Sequence, residues 1–170
     1  MLLAVLAFTS LLLHGAIFGF FYAWVCSTMW GLDTLEPAVA IEAMRGMNAS
    51  VRNAVFAPAF FATPFVSLLT ALVARRNGET GAATAFALAG LTYLAGGMLF
   101  TMLVNVPMNR ELATLVLPDD PQALARIWNA YSAPWQICNQ LRTAASGLAM
   151  LFCGAGLYLL RPTATQERPA

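Results

Sequence analysis

The sequence predicts an all-α fold: one bundle of four transmembrane helices, with interfacial helices in its two longer loops. Three observations carry this expectation. Hydrophobic residues make up 59% of the chain and charged residues 10%, with a mean hydropathy of +0.68, whereas soluble domains carry roughly 25% charged residues. Four apolar runs approach or exceed the roughly 20 residues that cross a bilayer core as a helix. Membrane β-barrels show no such runs.

The runs lie near residues Leu2 to Thr28, Asn53 to Ala74, Ala82 to Met108 and Pro134 to Leu160. The first has no Lys or Arg ahead of it, exceeds the length of a signal-peptide core and lacks a small-x-small cleavage site, so it is expected to be retained. After it, Asp33 or Thr34 is placed to cap a helix with Pro37 in its first turn. Ile41, Met44, Met47, Val51 and Val55 follow at helical spacing, the pattern of an interfacial helix feeding the second span. Asp120 followed by Pro121 gives a second cap-and-start signal, and Trp128, Tyr131 and Trp135 share a face where the chain re-enters the membrane. One four-helix domain is expected over residues 1–162, with a short polar tail over residues 163–170.

Loop charges set the expected orientation. Arg75, Arg76, Arg161 and Arg168 stand on the side of the N-terminus with few acids nearby, while the arginines opposite are mixed with Asp33, Glu36, Glu42, Glu111, Asp119 and Asp120. The positive-inside rule then puts both termini in the cytoplasm. The expected location is the bacterial inner membrane.

Several function classes fall away on composition. The net charge is +1, with nine basic residues that are all arginine and eight acidic ones, so there is no basic stripe for a phosphate backbone and no nucleic-acid partner is expected. Cys26, Cys138 and Cys153 show neither CxxC spacing nor neighbouring His ligands, so no zinc site or disulfide framework is implied. One His and no carboxylate within the spans fall short of the ligand sets of diiron and two-His-one-carboxylate sites, and no metal site is expected. A haem on a single axial His stays open. No glycine loop has the strand, turn and helix context of a dinucleotide site.

The residues that remain are polar groups inside apolar runs. The fourth run holds Asn139, Arg142, Thr143 and Ser146, with Arg142 about 12 Å along the helix from Pro134. A charge at that depth needs a partner and marks function by default; its alternative is snorkelling to headgroups. The third run places Tyr93, Gly97, Thr101, Asn105 and Asn109 on one face, and Pro107 frees carbonyls beside two amide side chains. A helix that simply ends at a proline would look similar. The first run carries the lone histidine, His14, in the row Ser10, His14, Phe18, Tyr22 and Cys26, together with a Gly15-x-x-x-Gly19 packing signal. Four crossings bring Asn48, Arg52 and Asn53, the end of the third run and the start of the fourth to one membrane face. Convergent polar groups in an apolar enclosure describe a small-molecule site.

These residues resemble the anthrone oxygenase-like family of membrane proteins. The resemblance rests on Gly19-Phe20-Phe21-Tyr22-Ala23-Trp24 with Gly31-Leu32, on Ala43-Met44-Arg45-Gly46-Met47-Asn48 with Asn53, on Asn105-Val106-Pro107-Met108-Asn109, and on Trp135 with Asn139-Gln140-Leu141-Arg142-Thr143. It extends from about Gly15 to Leu160, and departs from the usual pattern at Arg45 and Ala54. It implies a four-helix membrane fold and a monooxygenase that oxidises an anthrone to an anthraquinone, with molecular oxygen as co-substrate and no cofactor.

Within that chemistry His14 is the expected base, and Arg142 with Asn105, Asn109 and Asn139 the expected oxyanion stabilisers. Tyr22, Trp24 and Trp135 are expected to stack on a flat polycyclic substrate. Asn48, Arg52, Asn53 and Thr101 complete the substrate-binding set. The competing expectation is a non-catalytic membrane subunit, or a quinone-, lipid- or pigment-binding protein in a larger complex. A homo-oligomer is compatible with either.

Overall fold

The computed structural model describes residues 1–160, which form five helices and no strand. They are α1 (Leu2–Asp33), α2 (Pro37–Ser50), α3 (Phe56–Arg76), α4 (Thr80–Thr114) and α5 (Pro121–Leu159). The expected tail boundary at residue 162, with Arg161 and Arg168, falls outside the described residues.

The four long helices form a square in which every neighbouring pair runs antiparallel. Ser10 meets Thr70 (2.9 Å) and His14 meets Ser67 (2.8 Å) between α1 and α3. Phe18 lies against Gly147 between α1 and α5. Phe86 lies against Gly156 between α4 and α5, where an added Cβ would come within 2.9 Å of the ring, so the close approach itself requires glycine. α3 and α4 are joined by a three-residue turn at residues 77–79. Gly78 has φ 83° there, a conformation that L side chains rarely adopt.

Polarity is distributed inside out relative to a soluble protein. Ser10, His14, Thr63, Ser67, Thr70, Asn105, Asn139 and Arg142 are buried, while Phe8, Leu12, Phe65, Leu91 and Leu151 are exposed. At roughly 25 cal/mol per Å² of apolar surface, such an exterior is tolerable only in lipid. α1, α3 and α4 are each long and apolar enough to cross a membrane, the mark of an integral membrane protein. In α5 the apolar stretch is interrupted by Asn139, Gln140 and Arg142 near its middle.

Beyond the apolar run of α1 a second core forms from Met29, Leu32, Ile41, Met44, Leu112, Trp128 and Tyr131. It draws together the end of α1, all of α2, the end of α4 and the start of α5. Arg45 clamps this layer, with Nε donating to the Leu112 carbonyl (3.0 Å) and Nη1 to Glu42 (2.7 Å).

Several local expectations are corrected. The residue before α2 is Glu36, not Asp33 or Thr34, and no side chain caps that helix. Asp33 ends α1 instead, and its carboxylate accepts from Trp128 Nε1 (2.9 Å), Ser132 Oγ (2.7 Å) and Gln136 Nε2 (2.8 Å); three donors from α5 outcompete two backbone amides. Asn53 does not begin the second span, because its Oδ1 accepts from Val55 N and Phe56 N and so starts α3 at Phe56. Asp120 does cap α5, accepting from Gln122 N and Ala123 N. No separate interfacial helix forms in the second long loop, since α5 runs unbroken for 39 residues and contains that segment.

Candidate functional site

Two turns of α4 are π-helical, Tyr93–Leu99 and Thr101–Asn105, the second directly before Pro107. Proline cannot donate to the preceding turn, and the wider i→i+5 spacing absorbs that loss without ending the helix. The wider turn also slows rotation per residue, so a row spaced by four stays on one side. Tyr93, Gly97 and Asn105 of that row are fully or largely buried, and Thr101 and Asn109 half-buried.

Between the later part of α1, the end of α2, the start of α3, the later part of α4 and the middle of α5 lies a cavity of about 610 Å³. Phe20, Phe21, Trp24, Phe56, Phe60 and Trp135 supply its aromatic wall, and Asn48, Arg52, Asn53, Thr101, Asn109, Arg110 and Arg142 its polar groups. Among the described residues, arginines are the only ionisable side chains on the wall.

Arg142 is 5% exposed. Its Nη2 donates to Asn139 Oδ1 (2.7 Å) and its Nη1 to Thr101 Oγ1 (3.3 Å). The guanidinium carbon stands 4.5 Å from the centroid of Phe21 and 5.2 Å from that of Trp135, close enough for both rings to attract the cation. Among the described residues it makes no ion pair, and its Nε has no partner. Asn139 holds the group in place, since its Nδ2 donates to the Phe21 carbonyl (3.1 Å).

Above Arg142 a ring of hydrogen bonds joins three helices. Asn48 Nδ2 donates to the Tyr131 hydroxyl (3.4 Å), Tyr131 donates to Asn109 Oδ1 (2.8 Å), and Asn109 Nδ2 donates to Asn48 Oδ1 (3.0 Å). Trp135 Nε1 also donates to Asn109 Oδ1 (2.9 Å). These bonds fix the Asn109 amide and the Trp135 ring on the cavity wall.

The expected site residues therefore separate into groups. Trp24, Asn48, Arg52, Asn53, Thr101, Asn109, Trp135 and Arg142 share the cavity. Asn139 lies behind Arg142. Asn105 is fully buried off the wall, with neither amide atom partnered.

His14 and Tyr22 do not reach the cavity. The Nε2 of His14 is engaged by Ser67, and its ring meets the edge of Tyr93 at 5.9 Å. Tyr93 in turn donates to the Phe60 carbonyl (3.0 Å), so a layer of side chains separates the imidazole from the pocket. Tyr22 is 50% exposed and stacks on Phe18 on the outer surface. Phe21, Phe20, Phe56, Phe60, Tyr131 and Arg110 are among the residues of the site and its supports that sequence reasoning left out. The inward stripe Ala7, Ser10, His14, Ile17 and Phe21, spaced by three and four, carried the signal for the first of them.

Among the described residues no three His, Cys, Asp or Glu side chains come together. What the fold and site define is a helical membrane protein with an aromatic-walled cavity built around a buried arginine. The chain belongs to the anthrone oxygenase family, whose sequence model matches residues 47–152, more than half of its length. The match spans Asn48, Asn105, Asn109, Asn139 and Arg142. No curated protein and no solved structure matches the chain.

Proposed function

We propose that this protein is a four-span membrane oxygenase that uses molecular oxygen, without a cofactor, to oxidise an anthrone-like or phenolic polycyclic molecule held in the cavity. The observation that carries the proposal is Arg142: a buried cation with aromatic faces on two sides, two tethered nitrogens and, among the described residues, no carboxylate to neutralise it. Burying such a charge costs several kcal/mol on any scale. A site built this way favours a ligand that becomes an anion beside it. α5 packs antiparallel on α1 and α4 through the same layer, which supports its counting as the fourth span.

An anthrone has a methylene opposite its carbonyl. Loss of one methylene proton gives an oxyanion whose charge lies on the former carbonyl oxygen, next to Arg142. The anion passes one electron to oxygen, and the resulting radical and superoxide combine into a carbon-bound peroxide. Protonation of that peroxide and loss of water, with departure of the second methylene proton, leave a new carbonyl; one oxygen atom enters the quinone and the other leaves as water. Asn48 and Asn109 add amide dipoles, and Trp24 and Trp135 offer faces for the ring system. In this scheme the guanidinium lowers the cost of the first proton loss, and the proton leaves by way of the polar rim at Arg52, Asn53 and Arg110. His14 has a structural role.

Reconstituted protein supplied with anthrone is expected to consume oxygen and form quinone absorbance. Arg142→Gln should reduce the rate by about 10²–10³, the usual loss on removing an oxyanion donor, while the protein still folds and binds. An unchanged rate would remove Arg142 from the chemistry.

The cavity wall offers no base among the described residues, which favours a second reading, a protein that holds a quinone or pigment without transforming it. Mass analysis and an absorption spectrum of the purified protein separate the two. A tightly co-purified quinone with no oxygen uptake supports binding alone.

A further inference from the structure

Exposed apolar residues run along the outer faces of α3 and α4, Phe61, Phe65 and Leu69 on one and Leu99, Met102 and Leu103 on the other. These stripes are the surfaces that meet acyl chains. Phe61 and Met102, 47% and 41% exposed, also line the cavity. The same two side chains thus belong to the pocket wall and to the lipid-facing surface.

The packing of the two helices explains why. At the Gly90 level α3 and α4 are in tight contact, with the Pro64 carbonyl and the Leu68 side chain each 3.0 Å from where a Cβ would stand. One turn further, Tyr93 bridges to the Phe60 carbonyl and closes the floor. Beyond that floor α4 runs through its π-helical turns and α3 comes to its start at Phe56, which leaves the space between them to side chains alone. The opposite rim is of a different kind: Arg52, Asn53 and Arg110 are exposed and polar.

We infer that the cavity opens sideways into the bilayer between α3 and α4, that Phe61 and Met102 gate this opening, and that a flat apolar ligand enters through it from the lipid. The inference rests on the cavity being the ligand site proposed above, and not on the oxidation chemistry. Phe61 and Met102 then set the thickness of the molecule that passes.

A gate changes the rates of entry and exit together, whereas a binding contact changes their ratio. Anthrone transferred from phosphatidylcholine vesicles to the reconstituted protein, followed by quenching of tryptophan fluorescence, reports both rates. Phe61→Ala should speed entry and exit, and Met102→Phe should slow both, by about tenfold, within the range over which on-rates vary among mutants of one interface. The affinity should stay nearly constant. Rates unmoved by either change, or moved instead by Arg52→Gln and Arg110→Gln at the polar rim, overturn the lateral route.

If anthrone does not bind, the function proposed above fails and the opening is tested without it. Trp135 is kept as the sole tryptophan, with the other three changed to Phe, in vesicles of acyl-chain-brominated phosphatidylcholine. Quenching of this buried ring is expected where chains reach the cavity, and unquenched Trp135 overturns the opening.

Discussion

Ser67 and His14 form a buried polar pair between α1 and α3, and their chemistry predicts stability more than turnover. Replacing Ser67 with Ala leaves the imidazole Nε2 unpaired, and buried interhelical hydrogen bonds of this kind contribute about 0.6–1.7 kcal/mol. Thermal unfolding in detergent should show that loss. His14→Phe should keep oxygen uptake near the wild-type rate; a fall of about 10²–10⁴ would instead restore the histidine as a base. That Arg142 and Asn109 face the cavity was legible from sequence because a polar side chain within an apolar run is costly unless it meets a partner or a ligand, and Trp135 from the aromatic face it shares with Trp128 and Tyr131. Tyr22 was misplaced for a geometric reason. Eight residues on from His14 turn an α-helix by about 80° beyond two full turns, whereas seven fall only about 20° short, so Phe21 rather than Tyr22 continues the inward stripe.

At the scale of elements, the end of α1 is tied to α5 through Asp33, whose three donors are spaced by four residues along one face of α5. Hydrogen bonds to a charged acceptor contribute about 1.5–3 kcal/mol each, and exposure of Asp33 to solvent lowers that figure here. Asp33→Ala should therefore lower the unfolding temperature measurably and change the fluorescence of Trp128, while Asp33→Asn, which keeps one acceptor oxygen, should do less. Equal melting of all three proteins would deny the tether. The three long apolar helices α1, α3 and α4 and the cap at Asp120 could be read directly from residue patterns. The joining of two expected segments into one α5 could not, because Pro134 suggested a boundary. Its missing amide is tolerated inside a long helix fixed at both ends by packing. The π-helical turns were foreshadowed by Pro107, although their extent depends on packing against α5 that no local pattern encodes.

The molecule as a whole is proposed to cross the membrane four times with both termini in the cytoplasm. In a cysteine-free protein carrying Ser50→Cys or Glu79→Cys, a membrane-impermeant maleimide applied to intact cells should label the first and not the second. The reverse pattern would invert the orientation. In this arrangement α5 is a mast: its 39 residues extend about 58 Å, nearly twice the hydrocarbon thickness of a bilayer. One rigid rod thus belongs both to the buried square of helices and to the capping layer outside, so the cavity stands at a fixed height above the inner turn at Gly78. A bilayer of longer acyl chains would bring hydrocarbon up to the level of Arg52 and Arg110, and a thinner one would bring headgroups down to Phe61 and Met102. Membrane thickness then acts as a control on what the protein can take up, with the chain length of the surrounding lipid deciding which rim is in contact with oil.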